Sequence, residues 1–140
     1  MIGWKSGWDL LRPLEVKILE SVCAALPVEL RVAIEAQISQ IKKVQRLIGA
    51  TEVDFYYKRF RSGRIRVDRM VHSSEPEALL ATVVLQSPSQ AATIACSIWV
   101  VNGYIFSLEF SEPSQELQAD VDIKSVNIGT AVTEMRVLRK

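Results

Sequence analysis

The sequence predicts an α+β fold: two N-terminal helices packed on one face of an antiparallel sheet of about five strands. Apolar residues between Leu14 and Ile48 recur at steps of three and four, whereas beyond Gly49 they alternate or form short β-rich blocks. The tract from Thr93 to Phe110 is divided by Asn102-Gly103, a pair suited to the positive φ angles of a tight hairpin turn. Helical patterns followed by strand patterns, without βαβ alternation, set the class.

The first helix begins at Pro13, whose missing N–H costs nothing in a first turn, and carries Leu14, Ile18, Leu19, Val22, Cys23 and Leu26 until Pro27 interrupts it. A second, longer helix is expected from Leu30, Ile34, Ile38, Ile41, Val44 and Ile48, with Arg31, Glu35, Gln37, Lys42, Lys43 and Arg46 on its polar face and Gly49 as its stop. Strands are then expected over Val53–Phe60 and over Ile65–Val71, the latter with Ile65 and Val67 on one face. Ser73–Glu77 reads as a loop, and Leu79–Leu85 as a strand buried on both faces. In the Asn102-Gly103 hairpin, a two-residue loop pairs Val101 with Tyr104, Trp99 with Phe106, Ser97 with Leu108 and Ala95 with Phe110. That register turns Trp99, Phe106, Leu108 and Phe110 toward the helices. Leu117–Ile123 reads as an edge strand or ordered loop, and Thr130–Leu138 fits helix and strand equally.

With 140 residues, 49% of them hydrophobic and 24% charged, the chain is expected to form a single domain, 1–140. Its longest apolar runs fall short of the roughly 18 residues that span a bilayer, so no membrane association is expected. The start, Met1 to Trp8, lacks the apolar core of a signal peptide, which makes the cytoplasm the expected address. Cys23 and Cys96 sit in apolar patterns and read as buried free thiols. Trp4 and Trp8 read as anchors that pin the N-terminal segment to the core.

Catalytic chemistry finds little support. The lone His72 beside Ser73 and Ser74 has no nucleophile-elbow context, and triads are recognised by geometry rather than adjacency. Glu52 with Asp54, and Asp120 with Asp122, would share a strand face and could hold a cation, but a solvated face is the expected outcome. Glu109 stands in an apolar hairpin, as a pocket carboxylate or a solvent-facing one. No glycine spacing suits a phosphate loop, and no cysteine or histidine spacing suits zinc, so neither cofactor nor metal is expected.

The net charge of +1 conceals one dense feature between Phe55 and Arg69: Lys58, Arg59, Arg61, Arg64, Arg66 and Arg69 against Asp68 alone. If Ser62-Gly63 is a two-residue turn, Arg61 faces Arg64 and Arg59 faces Arg66. Like charges placed opposite each other destabilise a sheet by up to about 1 kcal/mol per pair. Such a hairpin either fans its side chains into water or offers them to something anionic. With Tyr56 and Tyr57 as apolar anchors, the arginines suit carboxylates on an acidic protein partner. The expected function is therefore a small non-enzymatic binding protein of the immunity or inhibitor kind. A nucleic-acid-associated protein using the same arginines on phosphates is the first alternative. A small-ligand carrier with a pocket between helices and sheet near Glu109 and Trp99 is the second. An unpaired edge near Leu117–Ile123 would offer a route to a dimer.

Overall fold

The computed structural model describes residues 6–63, 65, 70–72, 75–86, 93–114, 126–132 and 136–138. A 3-10 turn over Gly7–Leu10 leads to helices α1 (Pro13–Ala25) and α2 (Val28–Ser39). Strands β1 (Ile41–Arg46), β2 (Glu52–Tyr57), β3 (Met70–His72), β4 (Glu77–Gln86), β5 (Thr93–Val101), β6 (Tyr104–Phe110), β7 (Asn127–Val132) and β8 (Arg136–Leu138) follow. The main sheet has six antiparallel strands in the order β1-β2-β6-β5-β4-β7, while β3 and β8 form a separate pair. The class is α+β, with six strands in the sheet rather than five.

The helices form where local signals agree. Glu15 accepts from the Arg12 N–H at 2.8 Å, and Pro13 occupies the first turn of α1. Leu14, Ile18, Leu19, Val22 and Cys23 of α1 then join Leu30, Ile34 and Ile38 of α2 in one buried cluster. The sheet contributes Val53 and Phe55 from β2, Leu80, Val83 and Leu85 from β4, Ile94, Cys96, Ile98 and Val100 from β5, and Ile105, Leu108 and Phe110 from β6. Helices thus cover one face of the sheet, and a continuous apolar layer between them drives the fold.

Three β-bulges explain where strand patterning misleads. The first lies between Ile41 and Lys43, in a segment whose spacing predicts helix. The helix instead stops at Ser39, and Ile41–Arg46 pairs with β2. An extra residue in a strand lets positions three apart share a face, so Ile41 and Val44 imitate a helical step. Gly49 does mark a turn, at φ 71°, but it joins β1 to β2 rather than ending a helix. The second bulge is in the Asn102-Gly103 hairpin. The turn is as expected, with φ 50° and 90°, and Val101 pairs with Tyr104. Beyond it, Phe106 is the inserted residue: Val100 pairs with Ile105, Trp99 with Ser107, Ile98 with Leu108 and Cys96 with Phe110. Trp99 and Phe106 consequently leave the core, and Ile98, Cys96 and Val100 enter it.

The third bulge falls between Leu79 and Ala81 and buries Leu80 and Ala81 together, which gives β4 its continuous apolar run. Past it the strand alternates, with Val83 and Leu85 buried but Val84 exposed, so β4 is covered on one face only. The C-terminal ambiguity resolves to strand: β7 pairs with β4, and β8 with β3. Leu117–Ile123 lies outside the described residues.

Candidate functional site

The basic hairpin departs from the register its turn residues imply. Phe60 accepts from the Gly63 N–H at 2.9 Å, Gly63 has φ 89°, and Arg59 bridges to Ile65. The loop is thus closed by the Arg59–Ile65 bridge, with a glycine in the left-handed region inside it. Arg59 therefore faces an apolar residue, not Arg66, which removes one like-charge clash. Its Nη1 donates to the Gly63 carbonyl at 2.6 Å, so this guanidinium braces the loop. Lys58 and Arg61 are exposed. Arg64, Arg66 and Arg69 lie outside the described residues.

The two tyrosines part company. Tyr57 is only 6% exposed, and its hydroxyl donates to the Ile105 carbonyl. Burial raises its pKa well above the ordinary value, so it is a neutral core side chain. Tyr56, on the other face of β2, is 36% exposed. Its ring meets Phe106 edge-on at 6.0 Å, its hydroxyl donates to Gln45 Oε1 at 3.2 Å, and Lys43 Nζ lies 5.8 Å from its centroid.

Strand β1 adds what the sequence reading places on a helix. Ile41 pairs with Tyr57 and Lys43 with Tyr56, so the exposed Lys42 and Lys43 lie against the strand that leads into Lys58, Arg59 and Arg61. Phe60, 42% exposed, stands in the loop that follows. Phe106 reaches Tyr56 only because the β6 bulge turns it outward. No local signal marked the placement of these lysines, since Leu47 and Ile48 follow Val44 by three and four residues and continue the helical spacing.

Farther along the face away from the helices the charge reverses. Register sets Glu52 opposite Glu109 and Asp54 opposite Ser107, with Gln45 across from Asp54 on the other side. Asp54 is only 8% exposed, so this carboxylate pair is not the solvated edge its spacing implies. Burial first, then the neighbouring Glu52, pushes the Asp54 carboxyl up to about 6. Its Oδ1 and the Nε1 of Trp99 are buried without hydrogen-bond partners. Glu109 is exposed and pairs with Ser97. Both Glu109 and Trp99 lie on the face away from the helices, so they do not frame a pocket between helices and sheet. The Asp120–Asp122 pair, Ser73, Ser74 and the His72 side chain are outside the described residues.

Cys23 and Cys96 are buried free thiols, each pushed up to about 12, chiefly by burial, which leaves them protonated and unreactive. Among the described residues, no group of three His, Cys, Asp or Glu side chains is placed to hold a metal ion. No helix among them is long and apolar enough to cross a membrane. A groove of about 520 Å³ lies on the helical layer, lined by Trp8, Val16, Glu20, Cys23, Ala24, Arg31 and Glu35.

These elements define an α+β protein with helices on one face of its sheet and a basic-aromatic corner on the other. Comparison with protein-family models, curated proteins and solved structures found no match.

Proposed function

We propose that this is a small, non-enzymatic cytoplasmic binding protein of the immunity or inhibitor kind, which occludes an acidic surface of a protein partner. The observation that carries the reading is the pairing of Lys43 with an exposed Tyr56, which brings Lys42 and Lys43 to the strand that runs into Lys58, Arg59 and Arg61. An aromatic anchor with cations nearby along the chain is what an interface needs: apolar area that gains by leaving water, and charges that steer an anionic partner. Tyr56 is held by Gln45 and Phe106 before binding, so little side-chain freedom remains to be lost.

A nucleic-acid partner is the second reading, favoured by Tyr56 and Phe106 as stacking surfaces beside lysines. Glu52, Asp54 and Glu109 weigh against it, because a strand tracking across this face would carry its phosphates onto carboxylates. A protein surface of mixed charge meets both signs.

The test is partner capture by the wild type beside a Lys42→Ser/Lys43→Ser/Arg61→Ser variant whose circular dichroism matches it. A specific partner lost by the variant supports the proposal, and equal capture sinks it. Anisotropy with labelled single-stranded RNA and duplex DNA at about 50 and 200 mM salt separates the alternative, since phosphate contacts give a steep salt slope. Steep binding that the variant lacks would put nucleic acid first.

A further inference from the structure

The groove on the helical layer lies apart from the basic corner, and its chemistry is different. Trp8 of the 3-10 turn, Val16 and Ala24 of α1, and the buried Cys23 give it an apolar wall and floor. Arg31 of α2 lines it, with Glu20 of α1 and Glu35 of α2 exposed around it. The Nε of Arg31 is shut off from water and has no hydrogen-bond partner. Arg31 forms no ion pair with either glutamate, although Glu35 is one helical turn away on α2. No side chain lining the groove answers the charge of this guanidinium. The volume, about 520 Å³, is that of a small-molecule site.

Charge decides the class of ligand. A simple anion would pair with the Arg31 charge but meet Glu20 and Glu35. A simple cation would suit the glutamates and leave the Arg31 charge unanswered. A zwitterion answers both, and the apolar wall asks for an apolar substituent between the charges and the protein. We infer that the groove binds a free α-amino acid with an apolar side chain, its carboxylate on Arg31, its ammonium toward Glu20 and Glu35, and its side chain against Trp8, Val16 and Ala24. Cys23 forms the floor as a neutral thiol and takes no part in chemistry. The reading is independent of the proposed partner surface.

The experiment is a nitrogen-resolved NMR titration of the whole chain with L-leucine and L-phenylalanine, following the Trp8 indole and the amides of Glu20, Ala24 and Arg31. Saturable shifts at these positions are expected from at least one of the two. N-acetyl-leucine, which lacks the ammonium, and leucinamide, which lacks the carboxylate, should each bind about 10-fold or more weakly than leucine, as should leucine to Arg31→Gln. Absence of saturable shifts with either amino acid up to about 20 mM would overturn the inference, since that excludes even millimolar affinity. So would equal binding of the acetylated or amidated compound, whether or not the arginine variant folds, because the site would then not read both charges.

Discussion

Gln37 Nε2 donates to the Gly103 carbonyl at 2.9 Å, tying the last turn of α2 to the tip of the β5–β6 hairpin. The other end of the same amide accepts from the Ile105 N–H at 2.8 Å. Gln37 is fully buried, so both bonds form away from water. The Gly103 carbonyl also accepts from the Val71 N–H at 2.8 Å. In Gln37→Leu that carbonyl keeps a partner, whereas the Ile105 N–H loses the one it has from this amide. The expected loss is about 1–3 kcal/mol, the cost of one buried orphaned group. Urea unfolding would measure it, and an unchanged midpoint would show that the clasp contributes nothing.

Gly7 marks the closest approach of the N-terminal turn to the body of the protein. A Cβ there would stand 1.9 Å from the Ile38 carbonyl oxygen and 2.9 Å from the Ile41 backbone nitrogen. Neither backbone atom can swing aside as a side chain would. Gly7→Ala should therefore push the 3-10 turn off the α2–β1 junction, at a cost of about 1–3 kcal/mol or more. Thermal unfolding together with the Trp8 indole resonance would register it. Wild-type stability with an unmoved indole would contradict the packing described.

The sequence made the class, α1, the Asn102-Gly103 turn and the buried thiols legible, because each rests on a local signal. Pro13 and Pro27 bracket α1, and only residues tolerant of positive φ fill positions 102 and 103. What it concealed traces to the bulges. A single inserted residue between Ile41 and Lys43 converts strand parity into a step of three and made β1 read as helix. Phe106 reversed the expected inside and outside of β5 in the same way. Of the surface residues, Arg59, Arg61 and Tyr56 were visible as a charged aromatic run. Lys42, Lys43 and Phe106 join them only through pairing between distant strands, which no local pattern announces. Tyr57 shared its neighbour's chemistry but not its face, and strand alternation sends it into the core.

Arg46 and Glu15 form a part-buried ion pair with two contacts, Nε to Oε2 at 2.9 Å and Nη2 to Oε1 at 2.6 Å, that locks β1 to the first turn of α1. Glu15 is fully buried, and Arg46 also reaches the Leu10 carbonyl at 3.1 Å. Arg46→Met would leave the Glu15 charge with the Arg12 N–H alone, and breaking such a pair costs about 3–5 kcal/mol. Pairing it with Glu15→Gln removes the stranded charge and should recover much of the loss. Chemical unfolding of the two variants decides the matter: equal stability of the single and double variants would mean that the buried charge is not the source of the cost.

Asp54 makes the stability of the protein depend on pH in a direction unlike that of most carboxylates. Its carboxyl rises from an ordinary 3.8 to about 6 because it is buried next to Glu52. The folded state therefore holds this proton more tightly than the unfolded chain does. The resulting stabilisation is complete below the unfolded pKa and is lost as pH rises through the folded one. Above that range the protein carries a buried anion flanked by Gln45 and Ser107, with Oδ1 unpartnered. Asp54→Asn removes the ionisation while keeping the shape. Relative to the wild type, the variant should gain thermal stability as pH rises from the ordinary 3.8 through about 6, most steeply between the two values and levelling off above the raised pKa. The remaining titratable groups are common to both proteins and largely cancel in the difference. Parallel melting temperatures across that window would show that Asp54 ionises in the folded protein as it does in water.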